Sequence, residues 1–419
     1  MSFFNQYANG VMTALGFFWN ALWAFVMGYA ISAAIQVFVP KSRLTRHMGD
    51  CDIKSISLAG VFGAISSSCS FAALSAARAL FQKGAHFVAT VAFMFASTNL
   101  VIELGVLIFL FLGWQYLIAE IAGGIVMIAI SAILIRLTYP KSLIERAKQH
   151  ADEATGQEEN DFDWKKRIKS SAGWQQVGTR FVMEWQMVWR EILFGFTVAG
   201  FIAVFVPDQV WQTLFMANSG SGNSGNMPFL TVLENAAIAP FVAAATFIGS
   251  MGNIPLATVL TAGGVSFAGI MGFIYSDLMV PPLVKVNARY YGWKTALYIA
   301  AVMYVSIVIT ALGLHYAYAL IGILPEGSRD IAEVSGFKIN YTFFLNLTAF
   351  ALTGGLFWLH RLGQKSGKDG HDHGSHDHHN HDHGDGSASF FAPKNLLVTG
   401  IVVALATGLA LQGWQTVSS

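Results

Sequence analysis

Apolar runs separated by short clusters of charge set the pattern of this chain. The first run covers residues 14–39 and ends at Pro40. Runs at 86–112 and 115–138 follow, with no Lys or Arg between Lys83 and Arg136. Further runs occupy 191–207, 265–284, 295–323, 341–360 and 395–414. About 20 apolar residues carry a helix across the hydrocarbon of a bilayer, and the pattern predicts a spanning helix at each run. Residues 56–81 differ. They are rich in Ser, Gly and Ala, with Ser66, Ser67, Ser68, Ser70, Ala72 and Ala73 in one tight group.

Much of this pattern occurs twice. Residues 70–96 align with 250–276 at an offset of 180, with Ser70/Ser250, Ala77/Ala257, Leu80/Leu260, Gly84/Gly264, Phe87/Phe267 and Phe93/Phe273 identical. Gly28–Pro40 (GYAISAAIQVFVP) matches Gly195–Pro207 (GFTVAGFIAVFVP) at an offset of 167. Gly113-Trp114 matches Gly292-Trp293 at an offset of 179. The three echoes keep their order. Two copies of one unit are expected, with an insertion near Asn218–Asn226 in the second.

The basic residues orient the copies. Lys41, Arg43, Arg46 and Lys54 follow the first run, and Lys141 to Arg190 hold nine basic residues. Both clusters read as cytoplasmic, because Lys and Arg are retained on that side. A full crossing by 56–81 would place the second cluster outside. Residues 56–81 are therefore expected as a re-entrant hairpin, whose irregular backbone is tolerated where protein or water surrounds it. In the second copy, Asp208 to Pro228 carry no Lys or Arg and are expected outside. A hairpin over roughly 230–262 then enters from outside, and 265–284 returns to Lys285, Arg289 and Lys294. Two copies of opposite orientation make an inverted repeat, a construction common in secondary transporters.

The expected fold is thus an all-α polytopic membrane protein, an inverted repeat with paired re-entrant hairpins plus two extra C-terminal spans. The first repeat covers 1–140 and the inverted second repeat 191–325. Between them lies a cytoplasmic linker, 141–190, where Trp174, Phe181, Trp185 and Trp189 read as an amphipathic helix on the membrane surface. Residues 326–419 hold the two extra spans, flanking a His-rich loop.

Composition agrees with a membrane protein. Of 419 residues 54% are hydrophobic and only 12% charged, against roughly 25% charged in soluble domains. A formal net charge of +1 gives no reason to expect a nucleic-acid partner. The two cysteines, Cys51 and Cys69, make neither a disulfide framework nor a zinc spacing. Met1 to Gly10 carry no Lys or Arg, so no signal peptide is read there. GxxxxGK[ST], HExxH, a paired CxxC and GxSxG do not occur. The usual phosphate-loop, zinc-protease and serine-hydrolase chemistries are excluded, which points away from an enzyme.

Ionisable residues within the runs are few: Glu103, Glu120, Glu234, Asp277 and, at a boundary, Arg78. A charge at that depth costs on the order of 2.5–3.5 kcal/mol on insertion scales and usually faces the bundle interior or a cavity. Asp277, just before the Pro281-Pro282 break, is the leading candidate for a proton- or cation-linked group; a helix cap is its plain alternative. Asn99 and Glu103 lie one helical turn apart and share a face, available to a solute or to an interhelical hydrogen bond. Glu120 reads as snorkelling to water near the outer interface, and Glu234 as an interfacial residue. Asn253 and Pro255 fall in the second hairpin, where a proline removes a backbone donor and frees carbonyls. Cys69 and Ser70 fall at the first hairpin's tip, Cys69 being either a soft ligand or a small buried hydrophobe. Cys69, Ser70, Asn99, Glu103, Asn253, Pro255 and Asp277 form the expected substrate site, with the two tips meeting near the membrane midplane.

The tract His371, His373, His376, His378, His379, His381 and His383 alternates with Asp and Gly. It is expected on the cytoplasmic side, either holding Zn, Ni, Co or Cu in exchangeable fashion or forming a solvated loop without function. No tightly bound cofactor is expected.

Cys69-Ser70 with the small, apolar run after it, Lys83-Gly84-Ala85-His86-Phe87, Ala92-Phe93 and Ala96-Ser97-Thr98-Asn99 together resemble the predicted-permease family of organoarsenical efflux permeases, over about Phe25–Tyr318. That family carries a Cys-containing hairpin, a Gly after a short basic stretch and a Ser-x-Asn turn, repeated in the second half. It often has a cysteine pair at the first hairpin. Here Ser66, Ser67 and Ser68 precede Cys69, so the resemblance carries the fold further than the substrate.

The expected function is that of a secondary permease in a bacterial plasma membrane, exporting a small solute such as a metalloid or organometal species by ion-coupled alternating access. Its partners are the solute and the lipid bilayer, with homo-oligomerisation left open. A divalent-metal transporter supplied by the His tract is the alternative. A membrane enzyme or assembly factor is a further one, with no catalytic constellation behind it.

Overall fold

The computed structural model describes residues 3–38, 48, 52–66, 70–138, 144–145, 164–215, 227–246, 248–325, 331–366 and 393–418. Among them the chain is helical, with turns and no strand. Within a bilayer a helix satisfies its own backbone hydrogen bonds, which the apolar runs cannot otherwise do. Six helices are long and apolar enough to cross a membrane, or up to seven with one bent pair counted as a single span.

The order of elements in the first half recurs in the second. The first half holds α1 (Phe3–Phe38), α2 (Ile53–Ser66), α3 (Ser70–Gln82), α4 (Phe87–Asn99), α5 (Ile102–Phe111) and α6 (Trp114–Thr138). The second holds α7 (Ser171–Phe205), α8 (Phe229–Thr246), α9 (Ser250–Ala262), α10 (Phe267–Ile274), α11 (Pro281–Tyr291) and α12 (Trp293–Ile321). A single 3-10 turn, Asp277–Met279, sits between α10 and α11. Two further helices follow, α13 (Tyr341–Ser366) and α14 (Pro393–Ser418).

The turns after α3 and α9 are built alike. Gly84 and Gly264 have φ of +93° and +87°, a left-handed conformation that glycine adopts without steric penalty. Ala85 N–H donates to Leu80 O (3.0 Å), and Val265 N–H donates to Leu260 O (3.2 Å). His86 and Ser266 then cap α4 and α10, accepting from Val88 N–H and Gly269 N–H, each at 3.2 Å.

Hydrogen bonds link these turns to earlier parts of each half. His86 N–H donates to Met48 O (2.8 Å), tying the residue before α4 to the chain before α2. Ser266 N–H donates to Oδ1 of Asn235 (2.9 Å), in the second turn of α8, and the amide of Asn235 donates to Phe215 O. α2 and α3 lie in the chain between Met48 and His86. With 14 and 13 residues, each is about 20 Å long at 1.5 Å per residue, short of a hydrocarbon core of about 30 Å.

Matching helices of the two halves lie antiparallel. Ring pairs Tyr7–Phe201, Tyr29–Trp185 and Phe38–Trp174 step up α1 while stepping down α7. Tyr318 Oη donates to Gln115 O (3.0 Å) at one end of the α6–α12 pair, and the Thr138 and Tyr298 hydroxyls meet at 2.5 Å at the other. The halves also exchange partners: Ser75 Oγ meets Tyr290 Oη at 3.0 Å, and Arg78 lies over the Tyr290 ring, joining α3 to α11.

α7 is one continuous helix of 35 residues. Trp174 to Trp189, expected as a separate surface helix, form its first half. Phe181 and Val188 are buried there, and the apolar stripe runs unbroken to Ile192 and Phe196. α13 and α14 flank the α1–α7 pair: Asn346 Nδ2 donates to Trp19 O (2.8 Å) and Tyr7 Oη to Ala404 O (2.7 Å).

Candidate functional site

Asp277 is where the two broken segments come together. Its carboxylate accepts a hydrogen bond from Ser70 Oγ, the first residue of α3. It also faces the backbone N–H of Ser250, the first residue of α9. Ser70 and Ser250 are an identical pair of the repeat, so the N-termini of two matching helices converge on one carboxylate. The partial positive charge of a helix N-terminus favours an anionic or oxygen-rich group there. Asp277 Oδ1 has no hydrogen-bond partner, and Asp277 is 1% exposed.

Asn253, in the first turn of α9, is wholly buried with neither amide atom hydrogen-bonded. Pro255 is buried in the same helix. Asn99 ends α4; its Nδ2 donates to Phe95 O (3.0 Å) and to Thr98 Oγ1 (3.2 Å), and its Oδ1 has no partner. Glu103 lies in the first turn of α5. Asn99 and Glu103 do not share a continuous helix: Leu100 and Val101 leave the helical path, and α4 and α5 meet at 42°. Glu103 packs instead against α1, where a Cβ at Gly28 would lie 2.0 Å from its Cγ. Cys69 and the seven histidines of the tract lie outside the described residues.

Two acidic residues of α7 join this centre. Glu184 Oε1 accepts from Ser32 Oγ (3.3 Å) and from the Gln36 amide, which also donates to Ser66 O (3.2 Å) at the end of α2. Glu184 is 6% exposed, its Oε2 is unpartnered, and it faces Glu103. Two turns on, Glu191 lies beside Gly249 at the tip between α8 and α9, and faces Asp277. A small cleft opens at Glu184, lined also by Gln36, Ala72, Arg180, Met183 and Met187.

Glu120 does not snorkel. It is 1% exposed with both oxygens unpartnered. Its helix packs closely there: Tyr275 Oη donates to Ala119 O (2.7 Å), and Gly123 leaves room for that ring.

The family model ArsP_1, described as "Predicted permease", matches residues 8–316. The chain belongs to this permease family. It is 35% identical over 356 residues, 80% of this chain and 86% of the other, to the Mycobacterium tuberculosis (strain ATCC 25618 / H37Rv) protein named "Putative permease Rv2963". No solved structure matches the chain. Membership in a permease family and six candidate spans make it an integral, multi-pass membrane protein, and speak for transport rather than catalysis.

For a permease, the centre has a useful chemistry. Unpartnered buried polar atoms are expensive, yet Asn99 Oδ1, both amide atoms of Asn253, Glu184 Oε2 and Asp277 Oδ1 are buried without a partner. They are donors and acceptors available to a polar guest. Among the described residues no group of three His, Cys, Asp or Glu is arranged to hold a metal ion. Glu184 and Glu191 were hidden in the sequence by the basic residues around them. Their signal was the spacing of seven on a stripe shared with Phe181 and Val188.

Proposed function

We propose that the protein is a secondary permease that exports a small solute, such as a metalloid or organometal species, by ion-coupled alternating access. One observation carries this reading: the tips of both broken segments reach Asp277, through Ser70 and Ser250. The antiparallel α1–α7 and α6–α12 pairs support an inverted repeat, with 1–140 and 191–325 as its copies and 141–190 and 326–419 as the linker and the C-terminal addition. The hydrogen-bonded ends of the α2–α3 segment support a re-entrant hairpin. In such carriers the solute binds near the midplane, at the repeat interface and its discontinuous helices.

In this reading Ser70, Asn99, Asn253 and the carbonyls freed around Pro255 hold the solute, and Cys69 adds a soft ligand for a thiophilic one. Asp277 carries the coupling ion and Glu103 supports the junction of α1 with α5. The metalloid assignment rests on the resemblance to organoarsenical efflux permeases. The His tract acts as an exchangeable metal-binding loop apart from the solute route. Growth protection against a panel of metalloids and metals, followed by uptake of the protective species into inverted vesicles, tests the function. Uptake of a divalent metal alone, lost on deleting the tract, would replace this reading with a metal carrier.

A further inference from the structure

The paired carboxylates along α7 have no role in the centre described so far. Glu184 and Glu191 are seven residues apart, two turns or about 10 Å of rise, on one side of the helix. Each faces a second carboxylate from another element. Glu103 of α5 faces Glu184, and Asp277 faces Glu191. Gln36 and Ser32 of α1 also bond Glu184, and Arg180, exposed on α7 itself, is the cation beside it. Around Glu191 and Asp277 the neighbours are the neutral Ser70, Gly249 and Ser250.

We infer that Glu184 and Glu191 form a proton path along α7, leading from the cleft between α1 and α7 to Asp277. The cleft reaches Glu184 and runs along Met187 and Val188, ending about one turn before Glu191; the proposed path takes up water over that last turn. At Glu184 one oxygen is bonded by neutral donors and the other is buried and bare; Asp277 repeats that pattern. A carboxyl group held this way has a place for one proton on its bare oxygen. Two carboxylates that interact strongly titrate as a pair rather than ionise independently. The arrangement suits proton hand-over better than a metal ion, which needs several oxygens converging on one point. The inference rests on the coupling role of Asp277 proposed above.

The proton alone serves as the probe. The purified full-length protein, reconstituted on a solid-supported membrane, is given a pH jump without solute, and the displaced charge is recorded. The wild type is expected to give a transient that Asp277→Asn removes. Glu184→Gln and Glu191→Gln, which keep size and hydrogen-bonding capacity, are each expected to slow it about tenfold, equivalent to roughly 1.4 kcal/mol in barrier. Glu191→Asp, which retains the carboxyl, is expected to restore part of the rate. Wild-type kinetics in both Gln variants, with the transient lost in Asp277→Asn, overturns the path and leaves the coupling role standing. No transient in the wild type overturns both. A hydrophobic carbodiimide, which modifies protonated carboxyl groups, checks this without variants. Peptides bearing Glu184 and Glu191 should be labelled at acidic pH and spared at alkaline pH; no label on either at any pH overturns the path.

Discussion

Ser70 donates a hydrogen bond to Asp277, 207 residues further along the chain. The contact joins the start of α3 to the turn between α10 and α11, so each half of the molecule supplies one partner. Losing a hydrogen bond to a charged group costs about 1.5–3 kcal/mol. Ser70→Ala is therefore expected to reduce transport about tenfold or more, with expression and monodispersity retained. Asp277→Asn keeps an acceptor for Ser70 and removes the titrating group. Vesicle uptake in that variant should lose its dependence on an ion gradient; gradient-driven uptake at the wild-type level would take Asp277 out of the coupling step.

Gly28 makes a second test of the junction. Only a residue without Cβ lets α1 pass the Glu103 side chain, since the added carbon would lie 2.0 Å from Glu103 Cγ. Overpacking of this kind costs about 1–3 kcal/mol. Gly28→Ala should lower the thermal midpoint in detergent, and Gly28→Ala with Glu103→Ala should recover much of the loss. Equal destabilisation by the single and double variants would show that the clash is relieved elsewhere.

Apolar runs alone placed most helices within a few residues. The runs 115–138, 295–323 and 341–360 became α6, α12 and most of α13. The Pro281-Pro282 pair marked a real boundary, because prolines lack the backbone donor that a helix interior needs and are tolerated in its first turn. The Asn99–Glu103 relation was misjudged because four-residue spacing implies a shared face only while the helix continues, and it stops at Leu100. Glu120 was misjudged because depth along a run says nothing of which way a side chain points; packing against Tyr275 decides that. Glu184 and Glu191 were missed for a different reason. Counting Lys and Arg divided one helix at Arg190, whereas the buried stripe from Phe181 to Phe196 ignores that boundary.

The His tract is expected to be dispensable for folding. It lies outside both copies of the repeat, and its Gly-, His- and Asp-rich composition cannot build a packed core. Deleting His371 to His383 should leave expression and basal transport unchanged while altering the response to added zinc or nickel. Loss of transport in a well-folded deletion variant would put the tract on the solute route.

Orientation is the most exposed part of the proposal, because an inverted repeat requires the loops of the two halves to fall on fixed sides. The basic residues of Lys41 to Lys54 and of the segment before α7 put both on the cytoplasmic side in the proposed topology, whereas Asp208 to Pro228 contain neither Lys nor Arg. The antiparallel α1–α7 pair points the same way: the end of α1 at Phe38 lies beside Trp174, near the start of α7, and Phe205 lies beside Phe3 at the other end. In a background with Cys51 and Cys69 replaced by serine, single cysteines at Ser221 and Ser375 should react with an impermeant maleimide from opposite sides of intact cells. Ser221→Cys is expected to be labelled directly, and Ser375→Cys only after permeabilisation. Labelling of both from the same side would rule out the opposed orientation, even with the helix pairs intact.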